Sequence, residues 1–209
     1  MRISGSASSL PYMFGLEPEL ESWPVCSDLV LQNVRLASEV RWIRTVFRGL
    51  RISGLRGRPL WLLNCILDGV VLEGQIGNLC IVGLLDQIPG QPWALSDDVL
   101  EYSYTHSFAV DVRRAQFVGC QLWLWAPASM IRSGDAHVVV DVPALRRACG
   151  SVTMDVFRSR AMRSAYNAIG LGDNSPRCQS IVLQLPDDES ELEKVQYDVG
   201  VLAGWDCLP

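Results

Sequence analysis

An apolar residue recurs at every fifth position in two stretches of this chain, residues 45–74 and 110–124. Divided into fives, the first stretch reads TVFRG, LRISG, LRGRP, LWLLN, CILDG, VVLEG, and the second reads VDVRR, AQFVG, CQLWL. The third residue of the block is apolar in eight of these nine blocks, and Gly57 is the exception. A period of five matches neither an α-helix nor a plain strand. The pattern therefore indicates a chain that turns after each short extended segment.

This period predicts which side chains form the core. The third residue of each block should point inward, and the predicted set is Phe47, Ile52, Leu62, Leu67, Leu72, Val112, Phe117 and Leu122. The first residue should also point inward, as at Thr45, Leu50, Cys65, Val70, Ala115 and Cys120. Glycines at 49, 54, 69, 74 and 119 end their blocks, where a corner needs a permissive backbone. About four blocks would complete one turn, and stacked turns about 4.8 Å apart would bury a shared core.

The blocks AQFVG, CILDG, TVFRG and CQLWL resemble those of the pentapeptide-repeat family, which favour a small residue, a polar residue, Leu or Phe, a variable residue and Gly. LRGRP and QIGNL depart from that pattern. The resemblance covers roughly residues 29–84 and 109–124. It implies a short, degenerate, right-handed β-helix with four sides. The alternative is an ordinary sheet of short strands.

The sequence predicts a mainly β fold with three parts. Residues 1–28, which are rich in Pro, Ser and Gly, should be an N-terminal arm with little regular structure. Residues 29–142 should form the β-helix-like domain and end in a strand at 138–142. Residues 143–209 should form an α-rich cap over the open end. Within this cap we expect helices from Pro143 to Gly150, over 151–169 and after Pro186, and a strand at 180–185.

Composition favours an ordinary globular protein. Of the 209 residues, 49% are hydrophobic and 20% are charged, and the net charge is −5. The seven cysteines form no CxxC pair or Cys/His cluster, so we expect no zinc or other cofactor. The N-terminus lacks the apolar run of a signal peptide, and no stretch of 18 apolar residues is present. We therefore expect no membrane association, and reduced thiols in the cytoplasm.

Residues 85–108, called the excursion below, interrupt the repeat. They contain two prolines, an acidic cluster and several aromatic residues, and a short helix is predicted to begin at Ser96. Long insertions into compact domains are usually functional loops. The predicted partner-binding residues are Asp86, Trp93, Asp97, Asp98, Glu101, Tyr102 and Tyr104.

Charge is segregated along the chain. Residues 64–111 hold seven acids and no Lys or Arg, so a basic partner would be attracted to them. Residues 28–60 hold seven arginines, at positions 35, 41, 44, 48, 51, 56 and 58. This run is compatible with a nucleic-acid footprint. A solvated outer face with ion pairs between neighbouring turns is the favoured interpretation, so nucleic acid is not an expected partner.

Two histidines could serve in acid–base chemistry. His106 lies near Asp111 in sequence, and His137 follows Asp135 by two residues. General acid–base catalysis commonly needs such a His–carboxylate pair. No GxSxG, HExxH, P-loop or GxGxxG motif accompanies either histidine. Each is therefore interpreted as a surface or packing residue, and no catalytic residue is assigned.

The sequence favours a protein-binding module over an enzyme. Short, degenerate members of the family look similar to bacterial immunity or antitoxin proteins. The family resemblance therefore implies a partner such as a secreted toxin. A small enzyme using His106 or His137 is the first alternative. A DNA-mimicking inhibitor is the second, although residues 28–60 are basic. A deep pocket around a histidine would favour the enzyme, and a shallow surface would favour the binding module.

Overall fold

The computed structural model describes residues 2–7, 13–14, 20–83, 102–149, 154–169 and 178–209, and strands in three sheets dominate them. The first sheet contains β1 (Arg2–Ala7), β4 (Val30–Leu36), β7 (Arg51–Gly57), β10 (Val70–Gly77), β12 (Val110–Val118) and β14 (Ile131–Arg132). The second contains β2 (Met13–Phe14), β5 (Val40–Ile43), β8 (Leu60–Leu63), β11 (Leu79–Val82), β13 (Gln121–Leu124), β16 (Ser180–Gln184) and β15 (His137–Asp141). The third contains β3 (Val25–Ser27), β6 (Val46–Arg48) and β9 (Ile66–Asp68). The predicted mainly β class is confirmed.

The chain passes through the three sheets in a fixed order. From β4 it continues to β5 in the second sheet and β6 in the third, and then returns to the first sheet at β7. We call each such passage a circuit. Equivalent strands of successive circuits pair in parallel, with Val30 beside Arg51, Val40 beside Leu60, and Val46 beside Ile66. The offset of about 20 residues equals four five-residue blocks. None of the three sheets closes on itself.

A left-handed backbone residue marks the five-residue period. Positive φ angles occur at Arg44, Gly49 and Gly54 in one circuit, and at Asn64, Gly69 and Gly74 in the next. A single left-handed residue redirects an extended chain, and glycine adopts that conformation without strain. The prediction that block-ending glycines occupy corners is therefore confirmed, and φ is also positive at Gly119. Arg44 and Asn64 occupy the same kind of position without being glycine.

The third residues of the blocks form the core, as the period predicts. Phe47, Ile52, Leu62, Leu67, Leu72, Val112 and Leu122 are buried, and Phe117 packs partly buried against them. Among the first residues, Thr45, Leu50, Cys65, Val70 and Ala115 are buried, whereas Cys120 is half-buried. Trp42 and Phe47 are fully buried, with their ring centroids 5.1 Å apart. Stacking of successive circuits is what removes these side chains from water.

The expectation of little regular structure in the first 28 residues is wrong. β1, β2 and β3 each pair in parallel with a strand of the following circuit, namely β4, β5 and β6. These strands extend all three sheets at their N-terminal end. The prolines of this region were the reason to predict irregular structure. Pro24, however, immediately precedes β3, where the missing N–H of a proline is tolerated.

The C-terminal region contains three α-helices, α1 (Val142–Cys149), α2 (Arg160–Ile169) and α3 (Glu189–Gly204), among the described residues. Val142 begins α1 rather than ending the preceding strand, and the Asp141 side chain accepts a hydrogen bond from the Ala144 N–H. A continuous helix over 151–169 is wrong, because residues 157–159 separate a 3-10 turn (Met154–Val156) from α2. The buried Asp198 carboxylate of α3 accepts the Arg158 and Ser159 N–H groups and so fixes this break.

The C-terminal region joins the rest of the protein through a strand. β16 pairs antiparallel with β13 on one side and with β15 on the other, so it extends the second sheet. The helices pack a separate core that includes Leu145, Phe157, Met162 and Leu202. None of the helices in the described ranges is long and apolar enough to cross a membrane. The end of the second sheet is therefore covered mainly by an antiparallel strand pair, with helices behind it.

Candidate functional site

Asp68 is the last residue of β9 and occupies an outward position in its block CILDG. An outward aspartate on a strand of this kind would normally meet water. The Asp68 side chain is instead fully inaccessible, because residues 102–108 lie over it. We call residues 102–108 the anchored segment. They form the last part of the excursion and are the part that the structure describes.

The Asp68 carboxylate accepts hydrogen bonds from three residues of the anchored segment. Its Oδ2 atom accepts from the Thr105 N–H at 2.9 Å, the Thr105 hydroxyl at 2.6 Å and the Tyr102 hydroxyl at 3.1 Å. Its Oδ1 atom accepts from the His106 N–H at 2.9 Å and lies 3.0 Å from His106 Nδ1. Burial raises the pKa of the Asp68 carboxyl, but the hydrogen bonds from Thr105 and His106 outweigh this effect and hold the pKa below its ordinary value.

Arg48 completes the cluster from the neighbouring strand. Arg48 and Asp68 are partners in the β6–β9 pairing, and the Arg48 Nε atom lies 4.0 Å from Asp68 Oδ2. The same nitrogen donates to the Tyr102 hydroxyl at 3.3 Å. An ion pair between successive turns was predicted for the arginine run, and this pair confirms it. Because Arg48 and the Asp68 carboxylate belong to successive circuits, the cluster fixes the anchored segment to two circuits at once.

The rest of the anchored segment is held by backbone and aromatic contacts. The Phe108 carbonyl accepts a hydrogen bond from the Gly69 N–H at 3.0 Å. The Ala109 carbonyl accepts one from the Val70 N–H at 2.8 Å. The Arg132 guanidinium lies 4.1 Å from the centroid of the Phe108 ring and donates to the Ser107 hydroxyl at 2.9 Å. Residues 105–109 are therefore contacted from β9, β10 and β14.

Gly83, at the other side of the undescribed part of the excursion, is also fixed. Its N–H donates to the Trp123 carbonyl at 2.9 Å, and its own carbonyl accepts from Trp125 Nε1. The Trp125 ring occupies the space that a side chain at residue 83 would need. Trp125 in turn packs against Trp23, with ring centroids 6.1 Å apart. Both described flanks of residues 84–101 are thus attached to buried parts of the sheets.

We expect Gly69→Ala to disturb the anchored segment more than Gly74→Ala does. Both glycines have left-handed φ angles, +73° and +66°, so either alanine costs about 1–2 kcal/mol of backbone strain. A Cβ atom at residue 69 would lie 2.5 Å from the His106 ring, whereas the nearest atoms to one at residue 74 are 4.0 Å away. The difference between the two free energies of unfolding should therefore exceed about 1 kcal/mol.

Amide hydrogen exchange separates this effect from general destabilisation. In Gly69→Ala the amide protons of Thr105 and His106, which donate to Asp68, should exchange faster than those of β4. Gly74→Ala serves as the matched control and should leave their relative protection unchanged. If the Thr105 and His106 amide protons exchanged equally fast in the two variants, the position of the His106 ring would not require a glycine at residue 69.

His106 pairs with Asp68 and not with its sequence neighbour Asp111. The Asp111 carboxylate instead accepts from Arg113, with 2.5 Å between Arg113 Nη2 and Asp111 Oδ2. If His106 Nδ1 carries the proton toward Asp68, Nε2 is the basic nitrogen, which is the arrangement of an oriented general base. The His106 side chain is 42% exposed. The described cavities along the first and second sheets are lined by other residues.

His137 is a core residue. It is buried at the start of β15, and its ring lies 5.2 Å from that of Phe117. Burial lowers the pKa of His137, and the nearby Ala115 backbone offsets only part of this effect. Neither ring nitrogen makes a hydrogen bond of normal geometry to the described residues. Asp135 is exposed, so these positions favour the packing interpretation of His137 over a pairing with Asp135.

We expect His137→Leu to reduce the acid sensitivity of the fold between pH 7.5 and pH 5. The folded-state pKa of His137 lies below its ordinary value of about 6.5, so its neutral form stabilises the fold above that pH. This contribution is lost as the pH falls toward the folded-state pKa. Urea denaturation at both pH values should show a smaller loss of stability in His137→Leu than in the parent protein. An equal loss in both proteins would contradict the burial of a neutral imidazole.

Only two of the seven predicted partner-binding residues lie in the described part of the chain. Tyr102 is half-buried and hydrogen-bonded to Asp68, and Tyr104 packs edge-on against it with ring centroids 5.1 Å apart. Burial raises the pKa of both tyrosine hydroxyls. Both residues therefore hold the anchored segment in place. The other five, together with the helix predicted at Ser96, lie outside the described residues: Asp86, Trp93, Asp97, Asp98 and Glu101.

The seven arginines of the run divide into three groups. Arg41 pairs with Glu39 at 2.6 Å and Arg48 contacts Asp68, whereas Arg44 is buried and not on the solvated face where it was expected. The remaining arginines, at positions 35, 51, 56 and 58, are exposed and form no ion pair with another described residue. The favoured interpretation of a solvated face with ion pairs between turns is therefore correct for part of the run.

Asp68 was missed as a site residue because nothing local distinguishes it. Its block CILDG has the same pattern as VVLEG, in which Glu73 occupies the equivalent position. Only the packing of a segment 34–38 residues away buries the Asp68 carboxylate. No protein-family model, curated protein or solved structure matches this chain.

Proposed function

We propose that this protein is a non-enzymatic protein-binding module whose recognition element is the excursion. The observation that carries the proposal is the attachment of both described flanks of residues 84–101. Gly83 is held by Trp125, and the anchored segment is held by the buried Asp68 carboxylate. A recognition loop gains affinity when its ends are fixed, because less conformational entropy is lost on binding. The sequence between these flanks carries acids and a tryptophan suited to a basic protein surface.

The scaffold of this proposal is a short solenoid of the pentapeptide-repeat type. Three features support it: the fixed order of the sheets, the parallel offset of about 20 residues, and left-handed residues spaced five apart within a circuit, as at 44, 49 and 54. A right-handed, four-sided β-helix accounts for all three. In its narrower form, the proposal is that the protein is a bacterial immunity or antitoxin protein and that the partner it binds is a toxin.

The test is capture of a partner with an acid-neutralised variant and a matched control. The variant carries Asp97→Asn, Asp98→Asn and Glu101→Gln, and the control carries Asp187→Asn, Glu189→Gln and Glu193→Gln on exposed positions near α3. Both sets change the net charge equally. A basic protein from the native host should bind to the immobilised parent and control proteins and be lost from the variant. Added salt should weaken the complex. Absence of a stable partner, or equal binding by the variant, would overturn the proposal.

A small enzyme that uses His106 as an acid or a base is the second candidate, and the 3.0 Å contact between His106 Nδ1 and Asp68 Oδ1 favours it. Against it, the same carboxylate already accepts from Tyr102 and Thr105, which suits a structural role. Replacement of His106 by Gln keeps a donor toward Asp68 but removes the basic nitrogen. If the His106→Gln variant loses the effect of the protein in its host but keeps normal stability and partner binding, the protein is an enzyme that depends on His106. If the effect in the host is unchanged, the enzyme hypothesis is ruled out.

A DNA mimic is disfavoured by the exposed arginines of the first sheet.

A further inference from the structure

A groove of about 480 Å³ runs along the outer face of the first sheet. It lies where β4 and β7 bend, away from the third sheet on which the anchored segment packs. Its described lining contains two arginines and no acidic residue, in a protein with a net charge of −5. The lining residues are Asn33, Val34, Arg35, Gly54, Arg56 and Gly57.

Arg35 and Arg56 are direct partners in the parallel pairing of β4 with β7. Their side chains therefore leave the same face of the sheet, about 4.8 Å apart at the backbone. Both are exposed, and neither forms an ion pair with any residue in the described ranges. Like charges at directly opposed positions are destabilising unless an opposite charge lies between them. Arg58, which is also exposed, adds a third positive charge just beyond the end of β7.

Two of the six residues that line the groove are glycines. Gly54 and Gly57 have left-handed φ angles of +69° and +94°. A Cβ atom at residue 54 would lie 2.5 Å from Asn33 Oδ1, and one at residue 57 would collide with the Leu36 carbonyl. Neither position therefore admits a side chain, and the Asn33 side-chain amide lies directly beside Gly54. This close packing brings β4 and β7 together at the point where Arg35 and Arg56 leave the sheet.

The two guanidinium groups select the class of anion. One arginine fork satisfies a carboxylate, because that group offers only two oxygens for a bidentate contact. Two arginines on directly paired strand positions offer twice as many N–H donors and two positive charges. A phosphate carries up to two negative charges and at least three acceptor oxygens, so it can accept from both forks at once. A dianionic phosphoryl group therefore matches the groove better than an aspartate or glutamate side chain does.

We propose that this groove binds the phosphoryl group of a small molecule between Arg35 and Arg56. The ligand is inorganic phosphate or a phosphate monoester, and the guanidinium groups supply the specific contacts. This site is separate from the excursion. It gives the protein a small-molecule ligand in addition to its proposed protein partner, and binding at one site can be tested without the other.

Isothermal titration calorimetry of the purified full chain with sodium phosphate, adenosine 5′-monophosphate and sodium acetate tests the proposal. Phosphate should bind with measurable heat at constant ionic strength, whereas acetate should not. Tighter binding of the monoester than of phosphate would identify a phosphorylated metabolite, and the reverse would identify free phosphate. The double variant Arg35→Gln, Arg56→Gln should weaken binding by at least about tenfold. The control Arg147→Gln, Arg160→Gln changes two exposed helix arginines and should bind as the parent does.

Three results would overturn the proposal. Binding of acetate as tight as that of phosphate would indicate general charge screening. Equal affinity in the parent protein and the Arg35→Gln, Arg56→Gln variant, with unchanged far-ultraviolet circular dichroism, would place any phosphate elsewhere. Binding of a single-stranded oligonucleotide without binding of phosphate or the monoester would assign the arginines to a nucleic-acid backbone instead.

Discussion

Replacing Asp68 with alanine is expected to lower the free energy of unfolding by about 3–5 kcal/mol at pH 7. The carboxylate is fully inaccessible and accepts from the backbone N–H groups of Thr105 and His106. Without it those N–H groups and the Tyr102 hydroxyl lose their charged acceptor, and each hydrogen bond to a charged group contributes about 1.5–3 kcal/mol. Urea denaturation of the parent protein and Asp68→Ala measures the difference.

This effect should depend on pH in a defined direction. The folded-state pKa of Asp68 lies below the ordinary value of about 3.9, so its ionised form stabilises the fold. The contribution is complete well above pH 4 and is lost as the pH falls through the folded-state pKa. The stability curves of the parent protein and Asp68→Ala should therefore approach each other in acid. If the difference in the free energy of unfolding between the two proteins stayed constant down to pH 2, the negative charge of Asp68 would not be the source of the stabilisation.

Glu39→Ala is the control for Asp68→Ala. Glu39 forms an ion pair with Arg41 at 2.6 Å, but both side chains are largely exposed. Exposed pairs of this kind contribute about 0–1 kcal/mol. If the two variants were equally stable, the anchored segment would not be held by Asp68, and the proposed preorganisation of the excursion would lose its basis.

Replacing Phe47 with alanine is expected to lower the free energy of unfolding by about 3–5 kcal/mol. Phe47 is fully buried, and its ring packs against Trp42 at 5.1 Å between centroids. A cavity at this point would affect two neighbouring circuits, because Phe47 is paired with Cys26 on one side and Leu67 on the other. The denaturation midpoint in guanidinium chloride is the measurement.

Phe47→Leu is the matched control, since it keeps an apolar side chain at the third position of the block. It should cost no more than about 1.5 kcal/mol if the neighbouring residues repack. Six of the nine blocks in this chain have Leu or Phe at this position, so a large cost for leucine would argue that the five-residue period does not describe the packing. A small cost for alanine would contradict the burial of the ring.

The core was predictable because its signal is local and repeated. Leu62, Leu67 and Leu72 were assigned inward from their spacing alone, and all three are buried. The same spacing placed glycines at corners, and Gly49 and Gly69 do have left-handed φ angles. Each of these positions is constrained by its own block and by the blocks beside it, so a single sequence contains the information several times over.

Long-range contacts were not predictable in this way. The sequence offered Asp111 as a possible partner of His106 because the two are close in sequence, yet the partner is Asp68, 38 residues earlier. The N-terminal residues were interpreted as an arm, since strands of two to six residues beside prolines give no periodic signal. Their strand structure depends on parallel pairing with β4 and β5.

The sequence by itself determined the mainly β class, the five-residue period and the apolar residues that it buries. These properties follow from side-chain polarity and backbone preference within a few neighbouring residues. The tertiary structure alone decided that Asp68 is buried and that Arg35 and Arg56 stand side by side, with no carboxylate from the described residues paired to either. The physical reason is that burial and charge pairing depend on which segments pack together, and a buried carboxylate or a paired arginine has the same local sequence as an exposed one.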